Sequence, residues 1–436
     1  MSTPVIAIDF GANSIRVCRV ELGDAYPRLD MVHRYEHHAV RGSDGHLRWD
    51  WQRLVVEMRR GLELAMEVGP VASIGIDTWG LDYGLLDAAG DLVEAPFSHR
   101  DDRTRGYRRF VEQLGERRLY EIAGLPLRPS NTIFQLAAHG REALERARHV
   151  VMLPELLVYH LTGEIAAERT SAGTSGLLDL RTGTWSAELC DAIGLEAELF
   201  PEIWPVGTQA GRWRGVPVHL VGGHDTASAV VAGAVEGEAF VSSGTWLIVG
   251  REQLDVETTE QAQRAGFSNE QGALGGIRFL RNAAGWWMLE ECRRYWGAVD
   301  VATMLREASA VRADGLDLDV TDERLFAPSD MEAELRAAAG LGPDANRPTI
   351  TRTIVESMAA TTAKIVSALG NLHGIRLFGG GSRSDLYIEA LRARTELTVS
   401  VGPVEATALG NALTQGFGLG QYDSLTSIRS AVAGSV

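Results

Sequence analysis

Asp9, Gly11, Asn13 and Ser14 lie in VIAIDFGANSIRVCRV; Ser243, Gly244 and Thr245 lie in AFVSSGTWLIVG, more than two hundred residues later. Each group is a small polar turn wrapped in apolar strand pattern. Backbone N–H groups and hydroxyls in such turns hold phosphate oxygens, and Gly lets the backbone approach an anion closely. Two such turns in one chain imply a grip on a nucleotide and the geometry of phosphoryl transfer. Asp9 ends the first strand, where open sheets present ligand-binding groups, and its carboxylate suits Mg²⁺. The competing reading is an Asp that caps its own turn.

Asp225, in GGHDTASAV, is the foremost catalytic candidate. A strand passes there through a Gly-Gly turn into a helix whose first N–H groups favour an ionised carboxylate. The alternative is a plain helix-starting Asp. Phosphoryl transfer needs only a weak base that orients the attacking hydroxyl and takes its proton late. Gly379, Gly380 and Gly381 in LFGGGS offer a bare backbone to adenine or ribose, or else a βα turn. Asn282 in FLRNAAGWW carries an amide suited to sugar hydroxyls. Trp79, Trp246, Trp286 and Trp287 suit core packing more than sugar stacking, with Trp79 alone in a turn near the site. The run HRDDRTRGYRR around Arg100 and Asp101 reads as a solvated face or as a lining of the sugar pocket.

The elements that must position these groups alternate short β-branched runs with longer helical patterns, an α/β fold. Val5 to Asp9 and Ile15 to Val20 form the first hairpin. WDWQRLVVEMRRGLELAMEV predicts a helix with Leu54, Met58, Leu62 and Met66 on one face. VASIGIDTWG is a strand reaching Asp77, and YGLLDAAGDLVE predicts a hairpin around AAGD. Residues 104–200 read as mainly helical, a cap on the first sheet. At Gly237 the strand–turn–strand pattern restarts, so the boundary falls near 236, giving domains 1–236 and 237–436. One Gly in FGANSIRV, followed by a return strand, excludes the dinucleotide G-x-G-x-x-G turn.

The 45% hydrophobic content across 436 residues is ample for two cores. A net charge of −16 argues against a nucleic-acid binder. No apolar stretch nears the roughly 20 residues of a membrane helix. Cys18, Cys190 and Cys292 form neither a disulfide framework nor a metal motif, which points to a reducing cytoplasm.

Together, IAIDFGANSIRV, IGIDTWGLDYGLLD, HDTASAV, SSGTW, RNAAGWW, FGGGS and GPVEATALGN resemble the FGGY sugar kinases along essentially the whole chain. The resemblance implies two actin-like (ribonuclease H-like) domains with a nucleotide and sugar cleft between them, ATP and Mg²⁺ as cofactors, and a monomer or homodimer. IDTWGLDY, HDTASAV and GPVEATALGN point within the family to phosphorylation of L-rhamnulose at its 1-hydroxyl. By the same resemblance Asp225 matches the catalytic base. Gly80, His224, Asp225, Thr226 and Asn282 match sugar positions. Ala12, Asn13, Ser14, Ile15 and Arg16 match the first phosphate loop, Thr245 the second, and Gly379 to Gly381 the adenosine side. Asn13 and Ile15 stand where the family favours Ser and Gly, and Glu290 where it has Gln beside ATP. A kinase for L-fuculose or D-xylulose, or a non-catalytic nucleotide and sugar sensor, are the rival readings.

Overall fold

Strand alternation decides which face of the first sheet carries chemistry. In Val5–Gly11 (β1), Ile6, Ile8 and Phe10 enter one apolar cluster, while Val5 and Ala7 enter another. Asp9 falls in the second series, since successive side chains alternate faces. The structure is a computed structural model that describes residues 4–23, 26–312, 318–326 and 328–433. It packs as two units: one of 1–232, 253–279 and 407–436, the other of 233–252 and 280–406.

In the first unit β1 pairs antiparallel with Ser14–Glu21 (β2), which pairs with Arg28–Glu36 (β3). On its other side β1 runs parallel to Ser73–Thr78, followed by Val216–His219 and Gln209–Trp213. Three strands therefore point their carboxyl ends to one sheet edge. Trp51–Glu67 (α1) begins at Asp50, whose side chain accepts from Arg53 N–H, and covers the Ile6/Ile8 face with Leu54, Val55, Met58, Leu62 and Ala65. Met66, expected on this face, packs against the same cluster but is only partly buried. Gly61 is required there: a Cβ would stand 2.3 Å from Val17 Cγ2. The opposite face packs Val231 and Ala232 together with Ala408, Leu409, Ala412 and Leu413. Those residues belong to helices Asp225–Gly233 and Ala406–Gly418.

Tyr83–Leu86 turns back through AAGD as expected: Gly90 N–H donates to Asp87 O, Asp87 N–H to Asp91 O and Val93 N–H to Leu85 O, with an antiparallel bridge Leu86↔Leu92. It also pairs with His149–Met152, a partner the local pattern did not announce. Residues 104–200 hold short helices with a core of their own, including Leu119, Ile133, Phe134 and Leu189.

The second unit repeats the opening motif. Glu238–Ser243 pairs antiparallel with Trp246–Gln253 and runs parallel to Gly374–Phe378, which neighbours Thr398–Val401. Its longest helix, Arg347–Ala368, starts at Asn346 with Pro348 in the first turn. Cys18, Cys190 and Cys292 are all buried. Among the described residues no helix is long and apolar enough to cross a membrane.

Candidate active site

The first hairpin brings Asp9 opposite Arg16 across β1–β2 and beside Asp77 in the parallel strand. Arg16 Nη2 lies 2.7 Å from Asp9 Oδ2, and the Asp9 side chain is almost wholly buried. Asp77 is also buried. Its Oδ2 accepts from Asn411 Nδ2 at 2.6 Å, whereas its Oδ1 is buried without a hydrogen-bond partner. Burial first, then the charges of Asp9 and Asp225, push the Asp77 carboxyl well above the usual carboxylate range. The Asn411 bond and Arg16 oppose that rise. A buried carboxylate pair with an orphaned oxygen is a donor set that suits a hard divalent cation. A Cβ at Gly11 would project toward Arg16 Nη2 and Asp9 Oδ1 at 3.4 and 4.0 Å, so the missing side chain leaves space beside the acid.

His37 fastens the Ala12–Asn13 turn: its N–H donates to Asn13 O and its Nε2–H to Gly11 O, both at 3.0 Å. Burial lowers its pKa to about 4, so the ring is neutral. Ile15 is buried in the apolar core and offers the hairpin only its backbone. Asn13, Ser14 and Arg16 are half-buried at the turn.

The Gly222–Gly223 turn leads into helix Asp225–Gly233 at the same sheet edge, and Thr78 N–H donates to Gly223 O at 2.8 Å. Asp225 retains 29% side-chain exposure. Its Oδ1 accepts from both the N–H and the hydroxyl of Thr226. The helix-starting role and an accessible carboxylate therefore coexist. His224 stands between two acids, with Nε2 3.4 Å from Asp225 Oδ1 and Nδ1 3.4 Å from Glu270 Oε2. Arg278, fully buried, lies 3.1 Å from the same Glu270 oxygen. Burial alone would raise the Glu270 carboxyl, but Arg278 and His224 bring it below its ordinary value. Neither Glu270 nor Arg278 was among the sequence candidates; Arg278, between Ile277 and Phe279 in an apolar strand pattern, was the available signal, whereas Glu270 lies in the polar strand Ser268–Gln271.

Gly80 precedes Leu81, which holds φ +81°. That strained residue is fixed by Thr174, which accepts its N–H, and by Thr132 and Gln135, which donate to its carbonyl. Trp79 is buried rather than displayed: its ring packs against Trp49 at 4.4 Å with the planes tilted by 43°, and both indoles donate to Asp82 Oδ2 at 2.7 Å. Asp101 corrects the solvated-face reading. It is buried, accepting from Leu47 and Arg103 N–H groups.

In the second unit Thr245 occupies the turn between Ser243 and Trp246, where Trp286 and Trp287 N–H groups donate to Gly244 and Thr245 carbonyls. The triple glycine is largely explained by packing on this hairpin. A Cβ at Gly381 would meet Ser243 Oγ and Trp286 Nε1 at 2.1 Å, and one at Gly379 would meet Ser243 O at 3.0 Å. Gly380 alone of the three faces open space. Glu290 is neutralised by Arg293, one turn on, in a two-pronged ion pair with a 2.9 Å contact. Asn282 is half-buried in Ile277–Ala284.

Sequence profiles of the FGGY family of carbohydrate kinases match here twice, the N-terminal domain over residues 4–236 and the C-terminal domain over 239–419. The chain belongs to the FGGY family. It is 34% identical over 455 residues to a protein named Rhamnulokinase from Klebsiella pneumoniae subsp. pneumoniae, covering 99% of this chain and 92% of that one. A Rhamnulokinase from Enterococcus faecalis is 31% identical, covering 98% and 92%. Among solved structures, a ligand-bound xylulose kinase from Lactobacillus acidophilus superposes with TM-score 0.80 at 16% identity, covering 98% of this chain and 92% of that one. A Plasmodium falciparum glycerol kinase with ADP gives 0.78 at 17%, covering 99% and 92%. These structures establish the actin-like two-domain fold. The FGGY chain described here is thus a carbohydrate kinase.

Proposed function

We propose that this kinase transfers the γ-phosphoryl group of ATP to the 1-hydroxyl of L-rhamnulose, giving L-rhamnulose 1-phosphate and ADP. One observation carries the reading: Asp225, a partly exposed carboxylate at a helix start, shares a sheet edge with the buried Asp9–Asp77 pair. The identity to full-length relatives named Rhamnulokinase supports the choice of sugar.

In the reaction the O1 oxygen attacks the γ-phosphorus, the bond from that phosphorus to the β,γ-bridging oxygen breaks, and the O1 proton passes to Asp225. The loose transition state makes late proton transfer to a weak carboxylate base sufficient. Thr226 fixes the Asp225 carboxylate, while His224, Gly80 and Asn282 are assigned to the sugar. The hairpin of Ala12–Arg16 and that of Thr245 each take phosphate oxygens, and Gly379 to Gly381 and Glu290 are assigned to the nucleotide. Asp9, with Asp77 beside it, would hold Mg²⁺, which supplies charge neutralisation on the phosphates when bound. The buried thiols are consistent with a reducing cytoplasm.

Sugar-dependent ADP release across L-rhamnulose, L-fuculose and D-xylulose tests the assignment, with ³¹P–¹H correlation locating the new ester. The expected result is the highest kcat/KM on L-rhamnulose with phosphate on O1. A clear preference for another ketose would overturn it.

A further inference from the structure

The segment AERTSAGTS, residues 167–175, holds the turn that carries Asp225. Glu168 is fully buried at the start of the four-residue helix Arg169–Ala172. Its carboxylate accepts from Thr170 N–H at 2.9 Å and from the Thr170 hydroxyl. The same carboxylate reaches across to accept Gly223 N–H, 55 residues on, at 2.9 Å. Thr170 Oγ1 in turn accepts His224 N–H at 3.1 Å. Two consecutive backbone donors immediately before Asp225 are thus tied to one side-chain pair. From the other side Thr78 N–H holds the Gly223 carbonyl.

Gly223 is part of the same device. A Cβ there would stand 2.9 Å from Glu155 Oε1 and 3.2 Å from Glu168 Oε2, so only Gly lets the turn approach both acids. Ser171 Oγ bridges to Glu155 at 2.7 Å. Burial pushes both carboxyls above their ordinary values, against the pull of the surrounding donors. Buried polar groups of this kind are costly unless satisfied, and the bonds that Glu168 and Thr170 accept from Thr170, Gly223 and His224 hold the turn in one geometry.

We propose that Glu168 and Thr170 are positioning residues for phosphoryl transfer, clamping the Gly223–His224 backbone so that the Asp225 carboxylate meets the attacking hydroxyl. The inference rests on Asp225 as the base. Neither residue touches the reacting atoms. Small misplacements of a catalytic group cost rate rather than binding, so the clamp acts on kcat.

Thr170→Val keeps the shape and removes the hydroxyl that links His224 N–H to Glu168. The expected result, per folded enzyme, is a kcat lowered about tenfold or more with KM for ATP little changed. Thr170→Ser, which restores the hydroxyl, recovers most of the rate. Glu168→Gln gives a similar loss and decides the matter should Thr170→Val not fold. In an Asp225→Asn background Thr170→Val adds no further loss, because the group it positions is gone. A kcat within about twofold of wild type for both Thr170→Val and Glu168→Gln, or losses that multiply in the double variant, would overturn the clamp. If Asp225→Asn is inactive while both clamp variants are unaffected, the clamp alone falls. If Asp225→Asn itself turns over normally, the base assignment falls and takes the clamp with it.

Discussion

Two predictions belong to the residue scale. His37 is held neutral by burial, with its pKa lowered from 6.5 to about 4. Between those values the unfolded chain binds a proton that the folded chain refuses, so stability is lost as pH falls from about 6.5 toward 4, by roughly 3 kcal/mol at the limit. Above that window His37 contributes no pH dependence. Urea unfolding at pH 7 and pH 4.5 should show a smaller acid loss in His37→Gln than in wild type, and equal losses would refute the account. Glu290 is the second case. Its pairing with Arg293 explains how an acid stands at the position the family resemblance assigns to ATP. Arg293→Ala should weaken ATP binding by about 1 kcal/mol, roughly fivefold, and Glu290→Gln in that background should restore it. Calorimetric titration of both variants with the nucleotide measures this.

Elements were read well where local pattern and tertiary partner agreed. Both hairpins, the Gly-Gly turn and helix Asp225–Gly233 lie where alternation and glycine placed them. The AAGD hairpin closes as its Gly predicts, whereas the further pairing of Tyr83–Leu86 with His149–Met152 is a choice no local pattern encodes. The helix Ala406–Gly418 illustrates how packing reaches the site. Gly410 lets it approach helix Asp225–Gly233 so closely that a Cβ would stand 1.7 Å from Ser228 O. One residue along, Asn411 donates to Asp77, and Gln415 ties Asn411 to the Ile6 carbonyl. Gly410→Ala should therefore destabilise the protein by about 1–3 kcal/mol, the usual cost of overpacking, and lower kcat by displacing the helix that begins at Asp225. Thermal melts and steady-state rates check both effects; unchanged values in both would contradict the packing argument.

At the scale of the molecule, the repeated hairpin-plus-parallel-strand motif was visible in the sequence, while the path of the chain was not. Residues 407–436 return to the first unit and supply Ala408, Leu409, Ala412 and Leu413 to the core beneath Asp9. A fragment of residues 1–236 lacks that layer and the Asn411 partner of Asp77. It should show no cooperative thermal transition by circular dichroism, whereas a melt near that of the full chain would mean the returning helix is dispensable. The catalytic account itself meets its most direct test in sugar-dependent ADP release by wild type and Asp225→Asn at saturating ATP and L-rhamnulose. Loss of a general base predicts a fall in kcat of about a hundredfold or more, with ATP still bound. A variant that releases ADP at close to the wild-type rate would contradict the assignment of Asp225.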